Sequence, residues 1–505
     1  MRAKNSQRLL HRRAVVLGAT SALATGYVSG FGAAQDATPE ISGHSVDEQA
    51  VSFEVLLTGL ADPRFVVVDG SDVYFTESGT GGDEPLLLPE GEAPVSHFGR
   101  TGKVSKLSAD GTVTEIASDL MSYTFGANGE IVGPAGLALD GEGSIYVSVG
   151  VPGPYIETMS RIGEEGVLLK VNIETGEHTV VADLVDWELS EDPDPMTFDS
   201  NPYGMALVDG VAYIADSGGN TIIAVDVDSG EISTFAVTGG LEAPFFGDTG
   251  NPLRQGAAEI DSVPSAVELG PDGRLYVAYV TGGPFPAGFA PVDAFGLDGE
   301  KERVVEGLTM TGDLAFDSAG RMYASIVSTD MINGGPGQVV RVEEDGTATV
   351  VIDGLAIPAG IAFDTEDNLY VINKSSVIPG GGELIRYSGL TNVAAGTVET
   401  EPDATPMAEE THAAGANTFH IDFVDTAFEP NELTIPANTD ITFTFENKGF
   451  LAHDFVLADP KTVSDVLTNG GTTALVLNLS PGEYTFYCSQ IGHRAMGMEG
   501  TLTVV

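Results

Sequence analysis

The sequence predicts an all-β chain in which a six-bladed β-propeller precedes a second, smaller β-domain. Glycine is over-used, with 64 among 505 residues. Short apolar runs bounded by Gly, Asp and Pro recur throughout, and no segment sustains a helical period. One unit, a Pro or small residue, an apolar run, a turn and an apolar-Tyr-apolar strand, returns six times.

The units open at Pro63-Arg64-Phe65-Val66, Pro134-Ala135-Gly136-Leu137, Pro202-Tyr203-Gly204-Met205, Pro264-Ser265-Ala266-Val267, Thr311-Gly312-Asp313-Leu314 and Pro358-Ala359-Gly360-Ile361. Their tyrosines, Tyr74, Tyr146, Tyr213, Tyr276, Tyr323 and Tyr370, are separated by 72, 67, 63, 47 and 47 residues. A period near fifty residues with insertions in the early units is that of propeller blades, each a four-stranded antiparallel sheet. Turn dipeptides at Asp110-Gly111, Thr175-Gly176, Ser229-Gly230, Asp298-Gly299 and Asp345-Gly346 supply second hairpins. The sixth unit has a third strand near Glu383-Leu384-Ile385-Arg386 and then dissolves into an acidic stretch. Its missing strand is expected at the other end of the domain, in Val51-Ser52-Phe53-Glu54-Val55-Leu56, where it would close the ring and remove an exposed sheet edge. The ring is placed at residues 45–393.

The repeat region resembles the ScyD/ScyE family of exported six-bladed propellers. The resemblance rests on Asn201-Pro202-Tyr203-Gly204-Met205-Ala206, Ala215-Asp216-Ser217-Gly218-Gly219-Asn220, Val263-Pro264-Ser265-Ala266, Gly270-Pro271-Asp272-Gly273 and Thr281-Gly282-Gly283-Pro284-Phe285-Pro286. It implies a fold and no activity. Acids near the blade-opening loops, such as Asp216, Asp313 or Asp364, could hold a divalent cation, as in lactonase-like propellers. The stronger reading gives Asp140, Asp317 and Asp364 a turn role, each carboxylate accepting local backbone N–H groups. His97 and His178 stand alone and are expected on the surface or in loops, and neither a G-x-S-x-G elbow nor an H-E-x-x-H helix occurs.

Charge narrows the partners. With 74 Asp+Glu against 22 Lys+Arg the formal net charge is −52, which repels phosphate backbones and anionic lipid, so neither nucleic acid nor a membrane surface is expected as a partner. Residues 1–34 invert this balance, with Arg2, Lys4, Arg8, Arg12 and Arg13, no acid, and an apolar run from Ala14 to Gly30 before Gly32-Ala33-Ala34. They read as a cleavable export signal, and Arg12-Arg13 looks like a twin-arginine pair, although general secretion stays open. The expected location is periplasmic, cell-surface or extracellular, without membrane insertion after cleavage.

Residues 394–416, with Glu399, Glu401, Asp403, Glu409 and Glu410 among Ala, Thr, Gly and Pro, lack apolar periodicity and read as an acidic flexible linker. Beyond it, residues 417–505 concentrate the chemistry. Cys488, His493 and Met498 form C-x4-H-x4-M after the strand Tyr484-Thr485-Phe486-Tyr487, and His453 stands 35 residues before the cysteine. A thiolate, two imidazoles and a weak thioether are the ligand set of a type 1 blue copper site. Zinc competes for Cys and His, and the soft thioether favours copper. Met496 is within reach of the axial position as well. His412 and His420 are expected to be linker or structural residues. Cys488 is the single cysteine, which excludes a disulfide, a four-cysteine zinc site, an iron–sulfur cluster and a two-cysteine copper centre.

This segment resembles the plastocyanin/azurin family of cupredoxins. The resemblance rests on Phe428-Glu429-Pro430, Leu433-Thr434-Ile435, Ala452-His453-Asp454-Phe455, Pro481-Gly482-Glu483-Tyr484, and Tyr487-Cys488-Ser489 through Gly492-His493 to Gly497-Met498-Glu499-Gly500. It implies a Greek-key sandwich of the eight-stranded type, holding one copper per chain on His453, Cys488, His493 and Met498. Ile491 and Asp454 depart from residues common in the family and bear on the reduction potential.

The function expected is that of an exported copper-binding electron-transfer protein, with the propeller as a docking or ligand-binding module. Its redox partner would be a protein, a basic one suiting the acidic chain, and the ring could take a small-molecule ligand. The competing reading makes the ring an enzyme, a small-molecule oxidoreductase or lactonase-like hydrolase, with the copper domain as electron acceptor or accessory. A third makes the chain a binding or scaffold protein. A multicopper oxidase is disfavoured because no His-x-His pair occurs.

Overall fold

The computed structural model describes residues 51–85, 96–125, 130–151, 163–251, 254–331, 335–375, 380–393, 418–424, 427–448, 453–458, 462–464, 467, 471–488 and 498–505. The export segment at 1–34 and the linker at 394–416 lie outside them. The chain divides into two compact units, the second made up mainly of residues 398–505.

In the first unit, each repeated unit becomes the first two strands of an antiparallel sheet. Pro134–Leu139 and Ser144–Val149 lead into Val167–Asn172 and His178–Asp183, and Pro202–Val208 and Val211–Asp216 into Thr221–Asp226 and Ile232–Val237. The sheets opening at Pro264–Leu269 and Thr311–Phe316 repeat the order. The sheet opening at Pro63–Asp69 is larger, because its long hairpin Ser96–Leu107/Val113–Phe125 also pairs with Glu84–Pro85 and Glu130–Val132. In the sixth sheet, Ile361–Phe363, Leu369–Asn373 and Gly382–Ser388 are completed by Ser52–Leu60, which pairs Phe53 with Tyr387 and Val55 with Ile385. The strand expected to close the ring therefore lies where the sequence places it, and it runs on to Leu60.

The first strands of the six sheets neighbour one another in cyclic order, and Ile361–Phe363 returns to Pro63–Asp69. Hydroxyls tie each sheet to the next. Thr76 Oγ1 donates to Ala135 O (2.6 Å), Ser148 Oγ to Tyr203 O, Ser217 Oγ to Pro264 O (2.6 Å), Ser265 Oγ to Thr311 O (2.6 Å) and Ser325 Oγ to Ala359 O (2.7 Å). The last step back to the first sheet is a backbone bond, Gly360 N to Arg64 O at 2.8 Å. Glycine is required where these strands approach. A Cβ on Gly204 would sit 2.6 Å from Ser265 O, and one on Gly360 2.6 Å from Phe65 Cα.

The repeated tyrosines have a second role in this lysine-poor chain. Tyr74, Tyr146, Tyr323 and Tyr370 stand directly across from Lys106, Lys170, Arg341 and Arg386 on the third strand. Two of these cations lie over the ring, Lys106 Nζ at 6.0 Å and Lys170 Nζ at 5.2 Å from the centroid. Such cross-strand pairs combine aromatic burial with a cation–π contact.

One helix of the first unit, Leu184–Glu191, departs from the all-strand expectation. Asp183 caps it, accepting from Asp186 N at 2.9 Å, and Asp192 ends it in the left-handed region before Pro193. None of the described helices is long and apolar enough to cross a membrane.

The second unit holds two sheets. One orders Ala427–Glu429, Thr418–Val424, Ile441–Asn447 and Thr472–Leu477. The other orders Glu432–Ile435, Glu499–Val504, Gly482–Tyr487, Val456–Leu457 and Thr462–Val463. Each contains one parallel pairing, Thr418–Val424 with Ile441–Asn447 and Glu432–Ile435 with Glu499–Val504. Alternation in Ile441–Asn447 buries Ile441, Phe443 and Phe445, and these join Phe423, Phe428, Phe455 and Phe486 in one core.

Candidate metal centre

The edge of that phenylalanine core carries the chemistry. Gly482–Tyr487 delivers Cys488 at its C-terminal end, and the short bridge between His453 and Leu467 delivers the imidazole. His453 N donates to Leu467 O at 2.9 Å, and Leu467 N donates back to His453 O at 2.7 Å. The side chain of Asn447, wholly buried at the end of Ile441–Asn447, donates through Nδ2 to the same Leu467 carbonyl at 2.8 Å. The backbone under His453 is thereby fixed from two directions. The Phe423 ring meets the imidazole edge to face at 6.2 Å.

His453 Nδ1 lies 3.8 Å from Cys488 Sγ, and both residues are buried. Two donors bound to one ion at roughly 2.0 and 2.3 Å and opened to about 120° stand roughly 3.8 Å apart, so this spacing fits a shared soft or borderline metal. Cys488 N donates to Met498 O at 3.1 Å. That backbone bond holds the fully buried Met498 beside the cysteine, where its thioether would complete the donor set. The structure thus brings His453, Cys488 and Met498 into one dry corner of the domain. His493 and Met496 lie outside the described residues, as do Ile491 and His412. Asp454 is buried directly after the histidine.

Asn447 escaped the sequence reading. A signal existed: an amide follows the alternating apolar residues of Ile441–Asn447 at a position whose side chain faces the core. His420 takes a structural part. Its Nδ1 meets Thr444 Oγ1 at 2.9 Å and its Nε2 meets Asp422 Oδ1 at 2.8 Å, with Lys448 Nζ on the other Asp422 oxygen at 2.8 Å.

In the ring, the acids weighed for a channel cation are separated and locally engaged. Asp216 accepts from Ser200 Oγ (2.7 Å), Asn201 N (2.6 Å), Gly218 N (3.1 Å) and Gly219 N (3.0 Å). Asp313 accepts from Leu314 N (2.8 Å) and, across sheets, from Ile361 N (2.9 Å), and burial pushes its carboxyl up to about 7. Asp140, Asp317 and Asp364 each accept two backbone N–H groups of their own turns, as their position after the apolar runs predicts. His97 and His178 stand on strands; His97 is exposed at the surface, as expected, and His178 is half-buried. A buried ion network does occupy the first sheet. Arg64 donates to Asp62 Oδ2 (2.8 Å), Ser78 Oγ (3.2 Å), Tyr203 Oη (3.2 Å) and Ile131 O (2.6 Å), which accounts for its burial.

Residues 404–504 match the cupredoxin-like domain family, a match that begins within the stretch read as linker. No curated protein matches the chain. Among solved structures, dithionite-reduced auracyanin from the photosynthetic bacterium Roseiflexus castenholzii is 24% identical, with a TM-score of 0.17, over 18% of this chain and 99% of its own. Auracyanin A, a "blue" copper protein of Chloroflexus aurantiacus, is 21% identical, with a TM-score of 0.16, over 17% of this chain and 98% of its own. Virginiamycin B lyase from Staphylococcus aureus is 13% identical, with a TM-score of 0.36, over 67% of this chain and 99% of its own.

Proposed function

We propose, from the cupredoxin-like domain at residues 404–504, that this chain is an exported electron-transfer protein carrying one type 1 copper on His453, Cys488, His493 and Met498. The observation that carries the reading is the 3.8 Å approach of His453 Nδ1 to Cys488 Sγ in a buried corner shared with Met498. Copper bound there supplies reversible one-electron exchange. The chain's own residues do the rest. Cys488 and His453 provide donors pre-positioned by β-scaffold, Asn447 holds the Leu467 carbonyl that braces His453, and the phenylalanine core excludes water, so that little rearranges between oxidation states.

The ring serves in this reading as the docking or ligand-binding module. A net charge of −52 favours a basic redox protein, drawn in by long-range attraction. Electron transfer to such a partner slows as salt is added; a rate indifferent to salt would remove the steering and leave the copper site standing.

The deciding experiment is a Cu(II) titration of the full chain followed by visible and electron paramagnetic resonance spectra, beside Cys488→Ser. An intense thiolate-to-copper charge-transfer band that the variant lacks is the expected result. A colourless protein, or one that takes zinc in preference, overturns the assignment.

A further inference from the structure

The segment between the second and third sheets buries acids that nothing in the ring compensates. Glu188 lies on the inner face of the helix Leu184–Glu191, one turn from Leu184, where an apolar residue is expected. It is 0% exposed, and neither carboxylate oxygen has a hydrogen-bond partner. Asp199, 1% exposed, has one oxygen on Ser200 N at 2.8 Å and the other, Oδ2, without a partner. Gly219 lies between them: a Cβ there would stand 3.4 Å from Glu188 Oε2, 3.4 Å from Asp216 Cγ and 3.2 Å from Asp199 O. Among the described residues, no Lys, Arg or His forms an ion pair with Glu188, Asp199 or Asp216. The nearby guanidinium of Arg254 is spent on Asp194, Glu259 and Asp261.

An uncompensated buried carboxylate costs several kcal/mol, so Glu188 and Asp199 call for protons or for a cation. Asp216 is a special case, because four donors already stabilise its charge. It therefore stands as a fixed negative neighbour rather than a ligand. The oxygens left open are both of Glu188 and Oδ2 of Asp199.

We propose that Glu188 and Asp199 bind a calcium-class cation that staples the helix Leu184–Glu191 to the segment that follows it, beside the turn after Asp216 in the third sheet. The donors are all hard oxygens, with no thiolate or imidazole among them, which excludes the copper of the C-terminal domain as the occupant. A bidentate Glu in a dry site suits calcium better than magnesium, which keeps its waters. Without the cation, burial and then the charges of Asp216, Asp192, Asp199 and Asp194 push Glu188 up to about 10. A cation bound there replaces that proton and offers the open oxygens a partner. This site is independent of the copper reading.

The sole tryptophan, Trp187, adjoins Glu188 and gives the test a local reporter that the acidic surface cannot mimic. The full chain, stripped with chelator and held at physiological ionic strength, is titrated with terbium while tryptophan alone is excited; calcium and magnesium are then added as competitors. The expected result is sensitised terbium emission, displaced by calcium at a concentration about tenfold or more below that of magnesium. Glu188→Gln and Asp199→Asn should each lose the emission, and calcium should raise the melting temperature of the parent chain and of neither variant. With chelator present, Glu188→Gln should melt at or above the parent, because an ionisable group has left a crowd of acids. Absent emission, emission kept by both variants, or a melting temperature indifferent to calcium overturns the proposal and leaves Glu188 a protonated acid.

Discussion

The ring and the C-terminal sandwich handle buried polarity in opposite ways. The ring spreads it out: a hydroxyl from one sheet donates to a carbonyl of the next around the cycle, and Arg64 gathers Asp62, Ser78 and Tyr203 into one buried network. The sandwich concentrates it. Its interior is phenylalanine packed on phenylalanine, with centroids 4.9 Å apart for Phe445–Phe455 and 5.0 Å for Phe455–Phe486, and polar side chains gather where His453, Asn447 and Cys488 stand. A closed ring of small sheets must satisfy backbone at every seam, whereas a two-sheet sandwich can leave one dry corner for a metal.

The contrast is broken most severely at the seam of the ring. Deleting residues 51–57 removes most of the strand that completes the sixth sheet and bares Gly382–Ser388 as an edge. Calorimetry should show the ring transition lowered by about ten degrees or more, or lost, with the melting of the other unit unchanged. If the ring melts as before, closure by this strand is wrong.

Next come single changes in each interior. Arg64→Met strands Asp62 without its cation and should cost the ring about 3–5 kcal/mol, most of it recovered by adding Asp62→Asn. Phe455→Ala opens the centre of the sandwich and should cost about 3–5 kcal/mol there, by loss of packing alone. Denaturant titration of each unit reads both, and only the ring variant should be rescued by a neutralising partner change.

A subtler asymmetry is the ring's response to pH. Desolvation of the half-buried Glu268 side chain, and next the charge of Asp313, push its carboxyl up from 4.5 to about 8. A carboxyl whose folded pKa is raised contributes most below its unfolded pKa, and that contribution is lost as pH rises toward 8. Glu268→Gln should therefore melt like the parent near pH 4 and a few degrees above it at pH 9. A gap that is constant with pH would show that Glu268 titrates alike in the folded and the unfolded chain. Smallest of all, Ser265→Ala removes one rung of the ladder and should cost about 1–2 kcal/mol, leaving Thr311 O without that donor.

Much of this was legible in the residues because it is periodic or local. The Pro-to-Tyr repeats mark the first two strands of each sheet, the Asp-Gly turns mark the hairpins, and the apolar run at Val51 to Leu56 announces a strand that the sixth unit lacks. Residue type and spacing singled out His453, Cys488 and Met498, which the structure brings to one corner of the domain. The helix Leu184–Glu191 was not legible, since eight residues with Asp186 and Glu188 among the apolar ones show no clear stripe. Asn447 was passed over for a related reason: its value lies in sharing the Leu467 carbonyl with His453, a contact between segments twenty residues apart.

Sequence by itself determined the strands, the turns, the order of the two units and the identity of the candidate donors, because each follows from backbone preference and side-chain chemistry over a few residues. Tertiary structure alone decided which groups would be dry and which would meet. It set Cys488 against His453, left Glu188 and Asp199 with open oxygens beside Gly219, and gave Asp216 four donors instead of a cation. The physical reason is that desolvation and hydrogen-bond satisfaction belong to the whole packed environment of an atom, and that environment is assembled from segments far apart in the chain.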